Sequence, residues 1–343
     1  MNDNDDKHAD FEGLVCSRWC HWSELALERI PRRPLAPGQV RIRVRHAGVG
    51  FAISLFVSGK YQRKPPLPFT PGTEAAGEII EVAPDVTRLR VGQRVAAALD
   101  WGGLAQEVVA TADTVYPVPD GMGLALAVSL PITYGTVWAA LEWRAALRPG
   151  ETLLVHGASG GLGMAAVQIG RLMGARVIAT ASSEAKREAA LRNGASDALP
   201  SDPEALAAAV KTLCPPHGAD VVFDPVGGDL FDASLRCAAP GARLLSIGYA
   251  SGRIPEVPAN LLMVKNLSVI GFNYGYYIGW GLTDERRRFA PQAQEMVGKI
   301  MQAVASGEMP APVVRRFGLA QWREAVGTLM SRQSIGKVVL DLP

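Results

Sequence analysis

The sequence predicts an α/β protein made of a β-rich domain and a doubly wound parallel sheet. Three features predict it. Residues 11 to about 131 hold short runs of alternating apolar and polar residues between proline and glycine turns. From about 133 to 272, apolar strand candidates alternate with helical segments. A glycine-dense turn joins the first of those strands to the first of those helices.

The β-rich part opens clearly at VRIRVRHAGVG (Val40 to Gly50), where apolar and charged residues alternate with period two, as a half-buried strand requires. AGEIIEVAP and VGQRVAAAL repeat the pattern, and GGLAQEVVATADTVYPVP adds two further strands. Short strands with frequent turns indicate a small barrel or sandwich. In the second part, TLLVH (152–156), ARVIAT (175–180), DVVFD (220–224) and ARLLSIG (242–248) are strands. They are separated by the helices MAAVQIGRLM, EAKREAALRN and PEALAAAVKTL, the rhythm of a parallel sheet. The tail carries two helices, QAQEMVGKIMQAVASGE and AQWREAVGTLM, then a closing strand, KVVLDL, expected to return to the first domain. The first domain is therefore placed at 11–132, completed by 273–343, and the second at 133–272.

The chain of 343 residues is long enough for two cores. Its net charge of +2 argues against a nucleic-acid surface, and Arg286-Arg287-Arg288 and Arg315-Arg316 read as solvated faces. The polar, acidic MNDNDDKHAD is the reverse of a secretory signal and is expected to fray. Gly121 to Leu141 is uncharged, with only Ser129, Thr133, Tyr134 and Thr136 as polar residues, and is long enough to span a bilayer. Pro131 and Gly135 interrupt it, so a helix, a break and a second buried helix are expected rather than a membrane span. The four cysteines, at 16, 20, 214 and 237, fit free or structural thiols in a reducing cytoplasm.

Between Gly157 and Ala166 lie four glycines and three alanines. The turn follows strand TLLVH and opens a helix, the context that a dinucleotide fingerprint needs. It reads Ala158-Ser159-Gly160-Gly161-Leu162-Gly163, with alanine in the first slot and an extra Gly161. Gly160 lets backbone N–H groups approach a pyrophosphate, and Gly163 lets helix and strand pack tightly. The second strand ends without the carboxylate that holds a ribose 2′-OH. Ser182 and Ser183, followed by Lys186 and Arg187, suit a 2′-phosphate, so NADPH is the expected cofactor. Glu184 dissents; as a helix opener it suits the N-terminal dipole.

With these motifs, the chain resembles the medium-chain dehydrogenase/reductase superfamily over nearly its whole length. It is most similar to the zinc-free, NADPH-dependent quinone oxidoreductase branch related to zeta-crystallin. The segments that carry the resemblance include SGKYQRKPPLPFTPGTEAAGEIIEV, VGQRVAA, VHGASGGLGMAAVQIGRLMGARVIATASS, FDPVGG and GYASGRIPEVPANLLMVKNLSVIGFNYG. The resemblance implies a GroES-like catalytic domain, a Rossmann domain inserted before its last segment, a cleft between them and a homodimer. It also implies Thr136, Tyr249 and Lys337 as further cofactor contacts.

The alcohol dehydrogenases of the superfamily carry a cysteine near the end of VRHAGVG and Gly-His-Glu after the Pro-Gly turn; here stand Gly50 and Gly72-Thr73-Glu74. Leu89 to Ala110 contains no cysteine, so the structural zinc lobe is missing as well. No metal site is expected, and alcohol oxidation becomes improbable without a Lewis acid. Hydride delivery to a quinone or to an α,β-unsaturated carbonyl remains, with Phe51, Tyr134 and Asn273 (the last within an aromatic cluster) as pocket residues. Where the branch reads Gly-Val-Asn-x-x-Asp, this chain has Gly48-Val49-Gly50-Phe51-Ala52-Ile53, which predicts a roomier, more apolar pocket. Tyr61 matches the proton-delivery candidate of the 2-enoyl thioester reductases, so enone reduction is the alternative activity. A dinucleotide-binding protein with vestigial activity is the alternative of another class.

Overall fold

The computed structural model describes residues 10–343, so the expected fraying of MNDNDDKHA lies outside the described residues. The chain divides into two units: residues 1–132 with 275–305 and 314–343, and residues 133–274 with 306–313.

In the first unit, β1 (Phe11–Val15) and β2 (Ala26–Ile30) form an antiparallel pair. The larger sheet is built on β3 (Gln39–Val49), an eleven-residue strand. It pairs antiparallel with β4 (Glu74–Val82), which pairs with β5 (Arg94–Ala98); β6 (Glu107–Thr111) returns to β3, and β7 (Val115–Pro117) to β5. The period-two pattern places Val40, Ile42 and Val44 in the core, each fully buried. Arg41, on the opposite face, is covered too; it pairs with Glu81 at 2.8 Å and donates to the Arg33 carbonyl. The short helix α1 (Ile53–Val57) follows β3.

The chain crosses into the second unit within α2, Leu124–Arg144. This stretch is long and apolar enough to cross a membrane, but 72% of its apolar window is buried inside the protein. The expected break at Pro131 does not occur. The helix widens into π turns at Leu130–Tyr134 and Ala140–Arg144, which absorb the missing N–H of Pro131 without ending the helix.

The second unit alternates β8 (Thr152–Val155), α3 (Gly161–Leu172), β9 (Arg176–Ala181), α4 (Glu184–Arg192), β10 (Asp197–Pro200) and α5 (Pro203–Leu213). It continues with β11 (Ala219–Asp224), α6 (Gly228–Cys237), β12 (Ala238–Ser246), α7 (Ala259–Lys265) and β13 (Ser268–Gly271). The sheet is parallel with order β10-β9-β8-β11-β12-β13, the doubly wound arrangement whose switch point lies between β8 and β11. Its inner strands are apolar runs because helices cover both faces: Leu153, Leu154, Val155, Val221 and Val222 are fully buried.

The tail contributes α8 (Arg286–Ala305), β14 (Val314–Gly318), α9 (Trp322–Met330) and β15 (Lys337–Asp341). β15 lies antiparallel to β3 and parallel to β14, so the closing strand does return to the first unit. Trp322 of α9 is among its largest fully buried side chains. Helix α8 starts six residues earlier than the apolar pattern predicts. Arg286, expected on a solvated face, is 8% exposed and paired with Asp100 and Asp284, both at 2.9 Å.

Candidate active site

Most of the residues expected to hold the cofactor lie at the C-terminal ends of the parallel strands. Gly157 leaves β8 at φ +59°, a left-handed conformation that glycine adopts without cost. Helix α3 then opens on Gly160, and no side chain caps it. The leading N–H groups of Gly161, Leu162 and Gly163 thus face outward from the helix start, the arrangement that receives an anion. A β-carbon on Gly163 would overlap the Gly157 carbonyl, so this glycine is required by the turn itself. One on Gly160 would meet nothing nearer than 3.6 Å, so the fold alone does not demand glycine there. Ala158 and Ser159 are buried beneath the turn. Such a cradle fits a dinucleotide pyrophosphate.

Ser182 and Ser183 lie exposed after β9, and the half-buried Lys186 brings its Nζ to 3.4 Å from Ser182 Oγ. These groups are one turn apart and adjoin the glycine turn through the sheet: Ala158 N–H donates to the Thr180 carbonyl at 3.0 Å. Tyr249 is 45% exposed beyond β12, its hydroxyl accepting from Ser246 at 3.3 Å.

Two residues that sequence reasoning passed over hold this turn in place. His156 is fully buried. Its Nδ1 lies 2.9 Å from Thr180 Oγ1 and its Nε2 2.7 Å from Ser234 Oγ. Ser234 Oγ donates its own proton to the Leu230 carbonyl at 2.8 Å, so it accepts from Nε2–H, and Nδ1 accepts from Thr180. Burial lowers the His156 pKa, with the Asp224 charge opposing, and the ring is neutral. Asp224, 1% exposed, accepts from the N–H groups of Val226 and Gly227 through Oδ1 at 2.7 and 2.9 Å. Its Oδ2 is buried without a hydrogen-bond partner. A histidine closing an apolar strand just before a glycine turn was the available signal; Thr180 and Ser234 are brought to it only by the fold.

In the first unit, the segment Gly48 to Phe56 borders a recess of about 30 Å³. Its part-exposed rim includes Gly50 and Thr73. Its floor is Val49, Ile53, Phe56 and Leu104, each 6% exposed or less. Gly103 and Leu104 N–H groups donate to the carbonyls of Gly72 and Pro71, at 2.9 and 3.0 Å, which fixes the two loops around it. Tyr61 stacks on Phe56 with ring centroids 4.2 Å apart. Burial raises the Tyr61 pKa, so the phenol keeps its proton at neutral pH. Phe51 is 43% exposed beside the recess.

Other expected site residues lie elsewhere. Tyr134, expected to line a substrate pocket, is 3% exposed inside the second unit, and its hydroxyl donates to Gln168 Oε1 at 2.6 Å. Its polar end is thereby committed to the core. Lys337, expected on the cofactor, starts β15 in the first unit, where its ammonium is ion-paired with the buried Glu74. Gly48 makes room for that pair, since a β-carbon there would overlap the Glu74 carboxylate. Thr136 is buried in α2, and Asn273 is exposed after β13.

Comparison with known proteins matches residues 36–120 to the family described as alcohol dehydrogenase GroES-like domain, and residues 161–290 to zinc-binding dehydrogenase. The chain is 38% identical to the quinone oxidoreductase-like protein 2 homolog of Nematostella vectensis, over 90% of this chain and 82% of that one. It is 34% identical to a quinone oxidoreductase of Pseudomonas aeruginosa, over 92% of this chain and 95% of that one. The solved structure of Escherichia coli quinone oxidoreductase complexed with NADPH matches with a TM-score of 0.83 at 25% identity, covering 96% of this chain and 99% of that one.

Proposed function

This chain belongs to the medium-chain dehydrogenase/reductase superfamily, in its quinone oxidoreductase branch, and on that premise we propose that it passes hydride from NADPH to a quinone or related conjugated carbonyl without zinc. The observation that carries the zinc-independent reading is the recess of the first unit. Gly50 and Thr73 stand where the alcohol dehydrogenases place metal ligands, and the walls are apolar. Among the described residues, no three His, Cys, Asp or Glu side chains converge to hold a metal. A tetrahedral zinc needs sulfur or imidazole donors that this recess lacks.

Bound NADPH supplies the hydride. The chain's part is binding and orientation. The N–H groups of Gly161 to Gly163 hold the pyrophosphate, and Ser182, Ser183 and Lys186 take the 2′-phosphate. Phe51 and the recess position the acceptor, whose reduced oxygens water can protonate. A second reading, enone reduction, is favoured by one observation: Tyr61 is held by its stack on Phe56 with its proton retained. We also place a second copy of the chain on the outer edge of β13, the last strand of the sheet. In α7, which precedes that strand, Met263 and Val264 are 74% and 72% exposed. Four free cysteines suit a reducing cytoplasm.

The deciding experiment follows NADPH oxidation with a panel of quinones and enones, with and without chelator, alongside metal analysis. Turnover that survives chelator in zinc-free protein is expected. About one zinc per chain, with activity lost on its removal, would overturn the reading, and no turnover of any acceptor would favour a vestigial enzyme.

A further inference from the structure

We propose that the recess bounded by Gly50, Thr73, Val49, Ile53, Phe56 and Leu104 is a subsite for a small apolar ring substituent, making the preferred acceptor an alkyl- or methoxy-substituted quinone. The inference rests on the reading of the first unit as the acceptor-binding half.

Size is the first argument. The recess measures about 30 Å³, and one water-sized group needs about 10–15 Å³ by the same kind of measure. It therefore admits about two such groups, which is a methoxy or ethyl and far less than a six-membered ring. Polarity is the second. The Thr73 hydroxyl is the sole polar side-chain group on its lining, and the Gly50, Gly72 and Thr73 carbonyls already accept from the Ile53, Gly103 and Leu99 N–H groups, whereas a well-held water needs two to four polar partners. Water in the recess is poorly held, and an apolar group that displaces it gains affinity. Accessibility is the third. Gly50 and Thr73 at the rim are part-exposed while the floor is buried, so a substituent enters from outside without any core residue moving. Gly50 controls that entry: a β-carbon there meets no atom within 4 Å, and its backbone is not left-handed. A larger side chain at Gly50, which is itself on the lining, is thus admitted without straining the fold and narrows the mouth of the recess.

The test compares kcat/KM for 1,4-benzoquinone and 2-methoxy-1,4-benzoquinone in wild type, Gly50→Val and Ile53→Ala. One or two extra groups in an apolar pocket change kcat/KM by about tenfold or more. The wild type should favour the methoxy compound about tenfold, after correction for the two compounds' reduction potentials. In Gly50→Val that ratio should fall to about one, whatever the change in absolute rates. Ile53→Ala, which deepens the floor, should move the optimum towards an ethoxy substituent. A wild-type ratio near one, or a ratio unchanged in Gly50→Val, overturns the proposal. If the wild type reduces no quinone, the hydride-transfer reading fails separately. Calorimetric titration of the NADP⁺-loaded protein then decides the subsite: methoxyhydroquinone binding about tenfold more tightly than hydroquinone, and equally in Gly50→Val, supports it. Equal binding in the wild type overturns it.

Discussion

The glycine turn and the apolar recess differ in how they are built. The turn occupies one continuous stretch, from Val155 to Gly163, and its chemistry belongs to the backbone: a left-handed Gly157, an uncapped helix start, and a contact at Gly163 that tolerates no side chain. The recess is assembled from three separate segments, at 48–56, 72–73 and 104, and its chemistry lies in what its side chains omit. An anion site made of N–H groups suits any dinucleotide, so its sequence pattern is narrow. A wall that discriminates among small molecules varies freely on the same scaffold. Cofactor class is accordingly the more legible half, and acceptor identity the less legible.

The sharpest way to break this contrast is at the two glycines. Gly163→Ala should cost about 1–3 kcal/mol of stability, the usual cost of forced overpacking, and most of the NADPH affinity with it. Gly160→Ala should melt like the wild type yet bind NADPH about tenfold more weakly, because only the ligand needs that space. Thermal melts and NADPH fluorescence titrations of both variants decide it. Wild-type NADPH affinity in Gly160→Ala would remove the pyrophosphate from this turn.

Next in size is Lys186→Ala. A charge-assisted hydrogen bond contributes roughly 1.5–3 kcal/mol, and partial exposure puts this one at the lower end. The preference for NADPH over NADH should fall about tenfold, with NADH itself little affected. Equal use of the two cofactors by the wild type would show that the serine-lysine cluster does not read the 2′-phosphate.

His156 tests whether the turn depends on the neutral ring beneath it. Its folded pKa lies below the unfolded value of about 6.5. The unfolded chain therefore binds the extra proton first as pH falls. This contribution to stability is complete above about pH 6.5 and is lost as pH drops towards the folded pKa, by up to about 1.4 kcal/mol per unit. Denaturant unfolding between pH 7.5 and 5 should show a steeper loss in wild type than in His156→Gln. Parallel profiles would mean that the ring is charged or does not carry the linkage.

The smallest expected change is Tyr61→Phe with quinones, within a few-fold, since the ring and its stack on Phe56 remain. Enone turnover should fall by about 10²–10⁴ if the phenol is the proton donor. Steady-state rates with both substrate types separate the roles, and an equal large loss for both would assign Tyr61 to positioning.

Most of the fold was legible because period and position carry it. Four strands of the parallel sheet are apolar runs buried on both faces, and the period-two pattern of β3 marks its inward residues. DALP at β10 and SVIG at β13 escaped notice because each is only four residues long and lies at a sheet edge, where burial imposes little pattern. Pro131 misled for a different reason. A proline reads as a helix break, yet a widened turn surrounded by core accommodates it. What the sequence left unread at the site is partnership. Tyr134 is bonded to Gln168 and Lys337 to Glu74, and neither partner is near in sequence. The buried acceptor of Asp224 and the paired ring of His156 depend on contacts across three strands and a helix.

The placement of β15 sets the order in which the molecule can be completed during synthesis. The strands of the second unit all fall within residues 133–274, so its sheet can close as soon as that stretch has emerged. The first unit has to wait. β6 covers β3 from Gln39 to Arg43, but the edge from His46 to Val49 is covered only by β15, and His46 meets Asp341 across 295 residues of chain. Until then that edge is an unpaired template for foreign strands, and Glu74 lacks the Lys337 ammonium. A nascent chain halted before Lys337 thus carries all the strands of its parallel sheet while the edge of β3 from His46 to Val49 stays open.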